Sequence, residues 1–466
     1  MAKEFENSSD TSFDPVSSKA ERFIKGTEIR KVTPRSAHQE WSPSENRIDP
    51  VRILIESSAG RIETLLPIRY ARMMESPFAF FRGAAAIMAA DLAETPDSGI
   101  HLQLCGDCHL MNFGGFATPE RKLVFDINDF DETYPGPWEW DLKRLAASFA
   151  IAGRWRKFSD KNCKEFAWHA ADSYKRHMSD YSQLSALQIW YADIDLAALI
   201  EMGEDEEIKK FHQKRIKKAS EHTAHEKEFA KMTYQEGPRA RIKEDPPLIY
   251  HPTLREEKMV LKAAEKAHRQ YMESLPDDKK VLLSRYKLHD VAIKVVGVGS
   301  VGTMCGISLL MSATGEPIFL QFKEARKSVL EAHLKNKSKY FHQGERIVIG
   351  QKLMQSASDM FLGWANDDDN RFFYIRQLRD VKVKPVLEIM KAENMIDYAK
   401  ACGWALARAH ARSGDPSLLS GYIGKGNELA NAIAKFSILY ADQNEADYNQ
   451  MLEAIKEGRL PIAPEM

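Results

Sequence analysis

Apolar and polar positions along this 466-residue chain change rhythm more than once. Residues 1–50 are polar, with few apolar anchors, and predict a loosely attached leader. SPFAFFRGAAAIMAADLA, residues 76–93, reads as a buried helix with Ser76 as N-cap and Pro77 in its first turn. IHLQLCGD follows as a short apolar strand, and KLVFDINDFDET, residues 122–133, as a second strand ending in carboxylates. PGPWEWDLKRLAASFAIAGRW then turns and opens a helix. From 155 to 290 the pattern is mostly helical, and the interleaved charges of EMGEDEEIKKFHQKRIKKASEHTAHEKEF predict solvated helix faces.

Near residue 290 the pattern changes. VAIKVVGVGSVGTMCGISLLMSATGEPIFLQFKEA predicts antiparallel strands joined by a glycine turn and a TGEP turn. KSVLEAHL and GERIVIGQKLMQ read as helices, MFLGWA and RFFYIRQL as strands, and the chain from MIDYAKACGWALARAHARSG onward as helices. The predicted class is α+β. Its parts are the leader, a large helical lobe over 51–290, a small β-rich nucleotide-binding lobe over 291–380, and a hinge with C-terminal helices over 381–466 packing on the large lobe.

Composition narrows the function. Lys and Arg number 66 against 67 Asp and Glu, so no whole-chain field recruits nucleic acid or an anionic membrane. Five scattered cysteines argue against a disulfide framework. With no apolar signal region and no membrane-length apolar stretch, the expected location is the cytoplasm. That bears on CGDCHLMNFGGF, residues 105–116. Cys105, Cys108 and His109 have the spacing of a haem attachment site, but attachment belongs to oxidising compartments, so no haem is expected. A zinc site would need His101, Cys105, Cys108 and His109 to wrap the ion within one segment. Two buried loop cysteines are the plainer alternative.

Phosphoryl transfer accounts for more of the chain. It needs a carboxylate near the attacking hydroxyl, and an amide oxygen plus a carboxylate to hold a metal ion. Asp107, Asn112 and Asp129 supply these in order, with Asp126 and Asp131 beside Asp129. Gly297, Gly299, Ser300 and Gly302 form a glycine-rich loop between two strands, the arrangement found over ATP phosphates in kinases. Lys323 ends the next strand, and Glu345 is its expected partner, with Glu331 as the alternative.

GDCHLMNFGG and DINDFDETYPGPWEWDLKRLA resemble the bacterial family DUF2252, and SPFAFFRG, GVGSVGT, GQKLMQSASDMFLGW and ARAHARSGD extend the likeness over most of 50–440. That family resembles, distantly, the protein-kinase-like superfamily and its aminoglycoside phosphotransferases. Their HGDxHxxN, IDFxD and Trp/Tyr-Asp-Leu-Ala segments are similar to Gly106–Asn112, Asn128–Asp131 and Trp140–Ala146. The resemblance implies Asp107 as catalytic base, Asn112 and Asp129 as Mg2+ ligands, and Asp141 as a structural acid. It implies ATP and Mg2+ as cofactors, and a hydroxyl or amine on an unknown small-molecule or protein acceptor. Two departures stand out. The catalytic loop precedes the glycine loop, which implies a circularly permuted two-lobed fold, and Cys105 stands where the phosphotransferases have His. The permutation predicts that the ALARAHARSG helix ends beside the HLQLCGD strand. It also predicts a hinge over 376–384, with Gln377 and Leu378 offering backbone to adenine. Alternatives are nucleotidyl transfer, a nucleotide-binding pseudoenzyme, or a metal-dependent hydrolase on Asp107, His109, Asp126, Asp129 and Asp131.

Overall fold

The computed structural model describes residues 16–203, 205–220, 229–236, 239–251, 254–295, 297–335, 338–367, 370–378 and 382–462. It opens with helices α1 (Lys19–Val32), α2 (Pro50–Ser58), α3 (Leu66–Met74), α4 (Pro77–Gly83) and α5 (Ala85–Ala93). Ser76 caps α4, its hydroxyl accepting from the Ala79 N–H. The predicted single helix over 76–93 is nevertheless two, because Ala84 leaves helical geometry at φ −112 and ψ 35.

Residues 16–50 are firmly attached, against the sequence expectation; residues 1–15 of the predicted leader lie outside the described residues. Helix α1 lies on α15 (Pro416–Ile423) at Gly26, where a Cβ would come 2.1 Å from the Leu418 carbonyl oxygen. Arg22 pairs with buried Asp415 at 2.6 Å, and His38 Nε2 meets the Tyr422 hydroxyl at 2.6 Å. Arg47 bridges Asp91 and Asp447. Close backbone approach and ion pairs leave no apolar period in a sequence, so the segment reads as leader.

Strands β1 (His101–Leu104) and β4 (Tyr134–Pro137) form an antiparallel ribbon, and β2 (Phe113–Ala117) pairs with β3 (Leu123–Ile127) as a hairpin. Helices α6 (Trp138–Trp155) and α7 (Asp160–Gln183) pack with α14 (Ala392–Ser413), α15 and α16 (Glu428–Lys456) into the helical body. Trp138, Leu145, Phe149, Phe166, Leu406 and Phe436 are completely buried there. This is the main hydrophobic core.

Three short helices follow α7: α8 (Ala186–Tyr191), α9 (Leu196–Glu201) and α10 (Glu206–Ser220). The predicted helical run then breaks into β5 (Thr233–Glu236), β6 (Arg239–Ile242) and β7 (Ile249–Tyr250). Buried Ala240 and Ile242 alternate with arginines, a strand period hidden in charged composition. Helices α11 (Leu254–Ser274) and α12 (Asp277–Leu283) come next. Helix α11 packs on the β-rich part, with the Tyr271 hydroxyl donating to the Phe361 carbonyl and Ser274 Oγ accepting from Trp364 N–H.

That part is a six-stranded antiparallel sheet. Strands β8 (Tyr286–Lys294), β9 (Cys305–Ser312), β10 (Pro317–Glu324), β11 (Gly363–Asn366) and β12 (Phe372–Gln377) join β7 in the order β11-β12-β10-β9-β8-β7. KSVLEAHL forms only a 3-10 turn over Glu331–His333, whereas GERIVIGQKLMQ lies in helix α13 (Gln343–Met354). Strand β13 (Lys382–Val383) pairs with β2 and returns the chain to the helical body. Helices and an antiparallel sheet in separate regions agree with an α+β class. Among the described residues, no helix is long and apolar enough to cross a membrane.

Candidate active site

The loop 105–112 leaves β1 and is held from below by one face of α6. Asp141, Arg144 and Ser148 are three and four residues apart and share that face. Asp141 accepts the N–H groups of Cys105 and Gly106 at 2.8 and 3.0 Å, and Ser148 Oγ accepts Leu110 N–H. Arg144 Nε donates to Asp107 Oδ1 at 2.6 Å. Asp107 Oδ2 lies 3.8 Å from His109 Nε2. Gly106 has φ +88, and a Cβ there would lie 2.2 Å from the Glu132 carbonyl oxygen. Only glycine fits that turn. Asn112 Nδ2 donates to the Asp107 carbonyl, which ties the two ends of the loop together.

The β2–β3 ladder sets the acids against this loop. Phe113 pairs with Ile127, and Asn128 N–H donates to the Asn112 carbonyl, so Asn112 and Asp129 sit at one end of the hairpin. Lys323 reaches the same point from β10. Its Nζ lies 2.6 Å from Asp131 Oδ2 and 3.8 Å from Asp129 Oδ1. Tyr374, opposite Lys323 on β12, donates to Asp131 Oδ1 at 2.6 Å. Burial lowers the Lys323 ammonium, yet Asp129 and Asp131 hold it well above the usual lysine value. Burial and the Asp131 charge push Asp129 up. Asp131 faces the same burial, but Lys323 and the Tyr374 hydrogen bond hold it below the usual range. Asp129 Oδ1 is buried with no hydrogen-bond partner.

One cavity of about 860 Å3 joins these parts. Asp107, His109, Asn112, Asp129 and Asp131 line it, with Gly297, Gly299 and Ser300 of the glycine loop opposite. Ser300 Oγ lies 3.4 Å from Asp131 Oδ2. Gly297 and Gly302 take left-handed φ of +70 and +87. The loop carbonyls are pinned from outside. Arg61 Nη1 donates to Gly299 and Val301, and Ile62 N–H to Gly302. Among the described residues, the amides of Gly299, Ser300 and Gly302 have no protein acceptor.

The family description "Uncharacterized protein conserved in bacteria (DUF2252)" matches residues 61–454. The chain belongs to the DUF2252 family. No curated protein and no solved structure matches it.

Several expected roles change in the DUF2252 chain. Lys323 takes Asp131 and Asp129 as partners, and among the described residues no ion pair joins it to Glu345 or Glu331. Helix α13 instead buries the neighbouring Arg346, which donates to the carbonyls of Asp131, Thr133 and Arg326. Glu345 is partly exposed in the first turn. Of the backbone groups of Gln377 and Leu378 expected at adenine, the N–H groups already donate to Asp359 Oδ2 and the Phe319 carbonyl. Hinge residues 379–381 lie outside the described residues. Asp126 leaves the acid cluster, because it is fully buried against Arg408 at 2.8 Å and accepts from Ser356. Strand alternation turns it away from the cavity.

The four side chains that a zinc site would need do not converge. His101 turns to Asp97 and His109 to the cavity. Cys105, Cys108 and Asp141 do lie within 4.8 Å of one another. Asp141 is already committed to two amides and His410, and burial pushes the Cys108 thiol up to about 11 and the Cys105 thiol well above its ordinary value. The end of α14 does reach β1, with Ser413 Oγ donating to the Gln103 carbonyl at 3.1 Å. Arg144 and Tyr374 were not anticipated. Their signal was spacing, since Arg144 is three residues from Asp141 and Tyr374 lies on a strand of the predicted sheet, opposite Lys323.

Proposed function

We propose that this DUF2252 protein is an ATP- and Mg2+-dependent phosphotransferase of kinase-like, permuted architecture, acting on a hydroxyl or amine acceptor. The observation that carries this reading is the meeting of Lys323 with Asp129 and Asp131 at the cavity that Asp107, Asn112 and the glycine loop share. Lys323 and Asp131 are 192 residues apart in sequence. A partly buried carboxylate pair with one oxygen that makes no hydrogen bond suits a cation, and Asp131 is already committed to Lys323 and Tyr374. Asp129 and Asn112 are therefore the residues that would hold Mg2+. When bound, the ion would neutralise phosphate oxygens.

The chain's own groups divide the remaining work. The free amides of Gly299, Ser300 and Gly302 receive phosphate oxygens. Lys323 adds a fixed positive charge beneath them. Arg144 holds Asp107 by Oδ1, which leaves Oδ2 to accept the acceptor's proton. Burial pushes His109 down to about 4, so it stands neutral beside Asp107 at pH 7. Calorimetric titration with ATP, with and without Mg2+, followed by a turnover assay, tests the reading. Magnesium-dependent binding with turnover is expected. Absence of ATP affinity sinks it, and affinity without turnover favours the regulatory pseudoenzyme.

A further inference from the structure

Four arginines along one wall of the cavity share a single ion-pair contact among the described residues. Arg61 and Arg69 come from the segment joining α2 to α3 and from α3, Arg82 from the end of α4, and Arg326 from just beyond β10. Arg61 donates only to the carbonyls of Ser57, Gly299 and Val301. Arg69, 1% exposed, donates to Ser58 Oγ and the Gly83 carbonyl, and its Nε has no partner. Arg326 donates to the carbonyls of Ser57 and Ala59. Arg82 makes no hydrogen bond among the described residues, and its Nε is buried without a partner. The nearest ion-pair contact is Glu324 Oε1, 4.0 Å from Arg326 Nε. Glu132, Glu324 and Glu331 also face the cavity; Glu132 and Glu324 each accept a backbone N–H, from Val329 and Met304, and burial pushes the Glu132 carboxyl up to about 7.

A second feature faces the same space. Helix α5 begins at Ala85 with no side-chain cap, and Ala85 and Ala86 line the cavity. Their N–H groups have no acceptor among the described residues. An uncapped helix start carries positive potential and aims its amides at whatever lies before it. The break at Ala84 is what turns this start, together with Arg82, toward Asp107. Burial, with the charges of Arg69 and Arg326, drives Arg61 down to about 9. The charges of Glu132 and Glu324 pull the other way.

We infer that Arg82, Arg69, Arg61, Arg326 and the first turn of α5 form a binding site for a phosphate-type oxyanion carried by the acceptor, beside Asp107. Guanidinium forks and a helix start are the standard donors for such a group. Assigning the oxyanion to the acceptor rests on the phosphotransferase reading; the oxyanion site itself does not.

The test is calorimetric titration of the full chain with inorganic phosphate, without nucleotide or metal. Wild type should bind saturably at one site. Arg82→Gln removes no side-chain hydrogen bond and only a 5.9 Å contact of its guanidinium with the Phe78 ring, so its melting temperature should stay close to wild type. Its phosphate affinity should fall about tenfold or more, as for a lost charge-assisted hydrogen bond, and Arg326→Gln should weaken binding in the same direction. Arg82→Lys should recover part of the affinity. Failure of wild type to bind phosphate, or binding unchanged in Arg82→Gln, overturns the site. Titrating Arg82→Gln with Mg-ATP separates the sources. Unchanged ATP affinity assigns the oxyanion to the acceptor, whereas a parallel loss overturns that assignment and gives the arginines to the nucleotide. A chain that ignores ATP but holds phosphate through Arg82 keeps this site and rejects the phosphotransferase.

Discussion

Lys323 is 4% exposed and neutralises two neighbouring carboxylates, so its removal acts on stability as well as on chemistry. Lys323→Ala leaves Asp129 and Asp131 facing each other, and should cost about 3 kcal/mol, read by urea unfolding. ATP affinity should fall in the same variant. Asp129→Asn should behave in the opposite way. Burial and Asp131 already push that carboxyl up, so neutralising it relieves repulsion. Stability should hold or rise, while Mg-dependent turnover is lost. A large loss of stability in Asp129→Asn would mark it as a structural residue instead. At this scale the sequence was informative about residue types. Asp107, Asn112, Asp129 and Lys323 were legible because their chemistry is local and their spacing is short. The partner of Lys323 was not, because Asp131 approaches it through the fold and not along a helix.

Among the elements, the attachment of α1 is the most exposed to pH. His38 is completely buried, hydrogen-bonded to Tyr422 and 3.8 Å from Glu139. Burial and the Lys143 charge drive its imidazole down to about 3, against the pull of Asp97. A folded-state value below the ordinary histidine range stabilises the fold above about pH 6.5 and is lost as pH falls toward the folded value. Amide protection in residues 35–40, corrected for the intrinsic exchange rate, should therefore fall between pH 7 and pH 5. His38→Gln should flatten that dependence; an equally steep profile in the variant would assign it to another group. Gly26→Ala should detach the same element at any pH, since its Cβ meets backbone that cannot move aside. A loss of about 1–3 kcal/mol is expected on denaturant unfolding.

The whole molecule depends on pairs that join distant parts of the chain. Arg408 on α14 meets Asp126 of β3 in a fully buried pair and also donates to the Met354 carbonyl that ends α13. Arg408→Ala strands a buried carboxylate and should cost about 3–5 kcal/mol. Denaturation followed by both circular dichroism and tryptophan fluorescence should show the loss in one shared transition; no loss would make the pair dispensable. Alternation and glycine spacing by themselves determined strands β8 to β12 of the antiparallel sheet, the glycine loop between β8 and β9 and the cap at Ser76, because each is written within a few neighbouring residues. Only the tertiary structure decided that residues 16–50 are clamped to α15, that Asp126 belongs to Arg408, and that Gln377 and Leu378 are internally bonded. It also gathered Arg61, Arg69, Arg82 and Arg326 on one wall. The physical reason is common to all four. Ion pairing and hydrogen bonding between remote segments depend on distance in space, and a one-dimensional pattern records only distance along the chain.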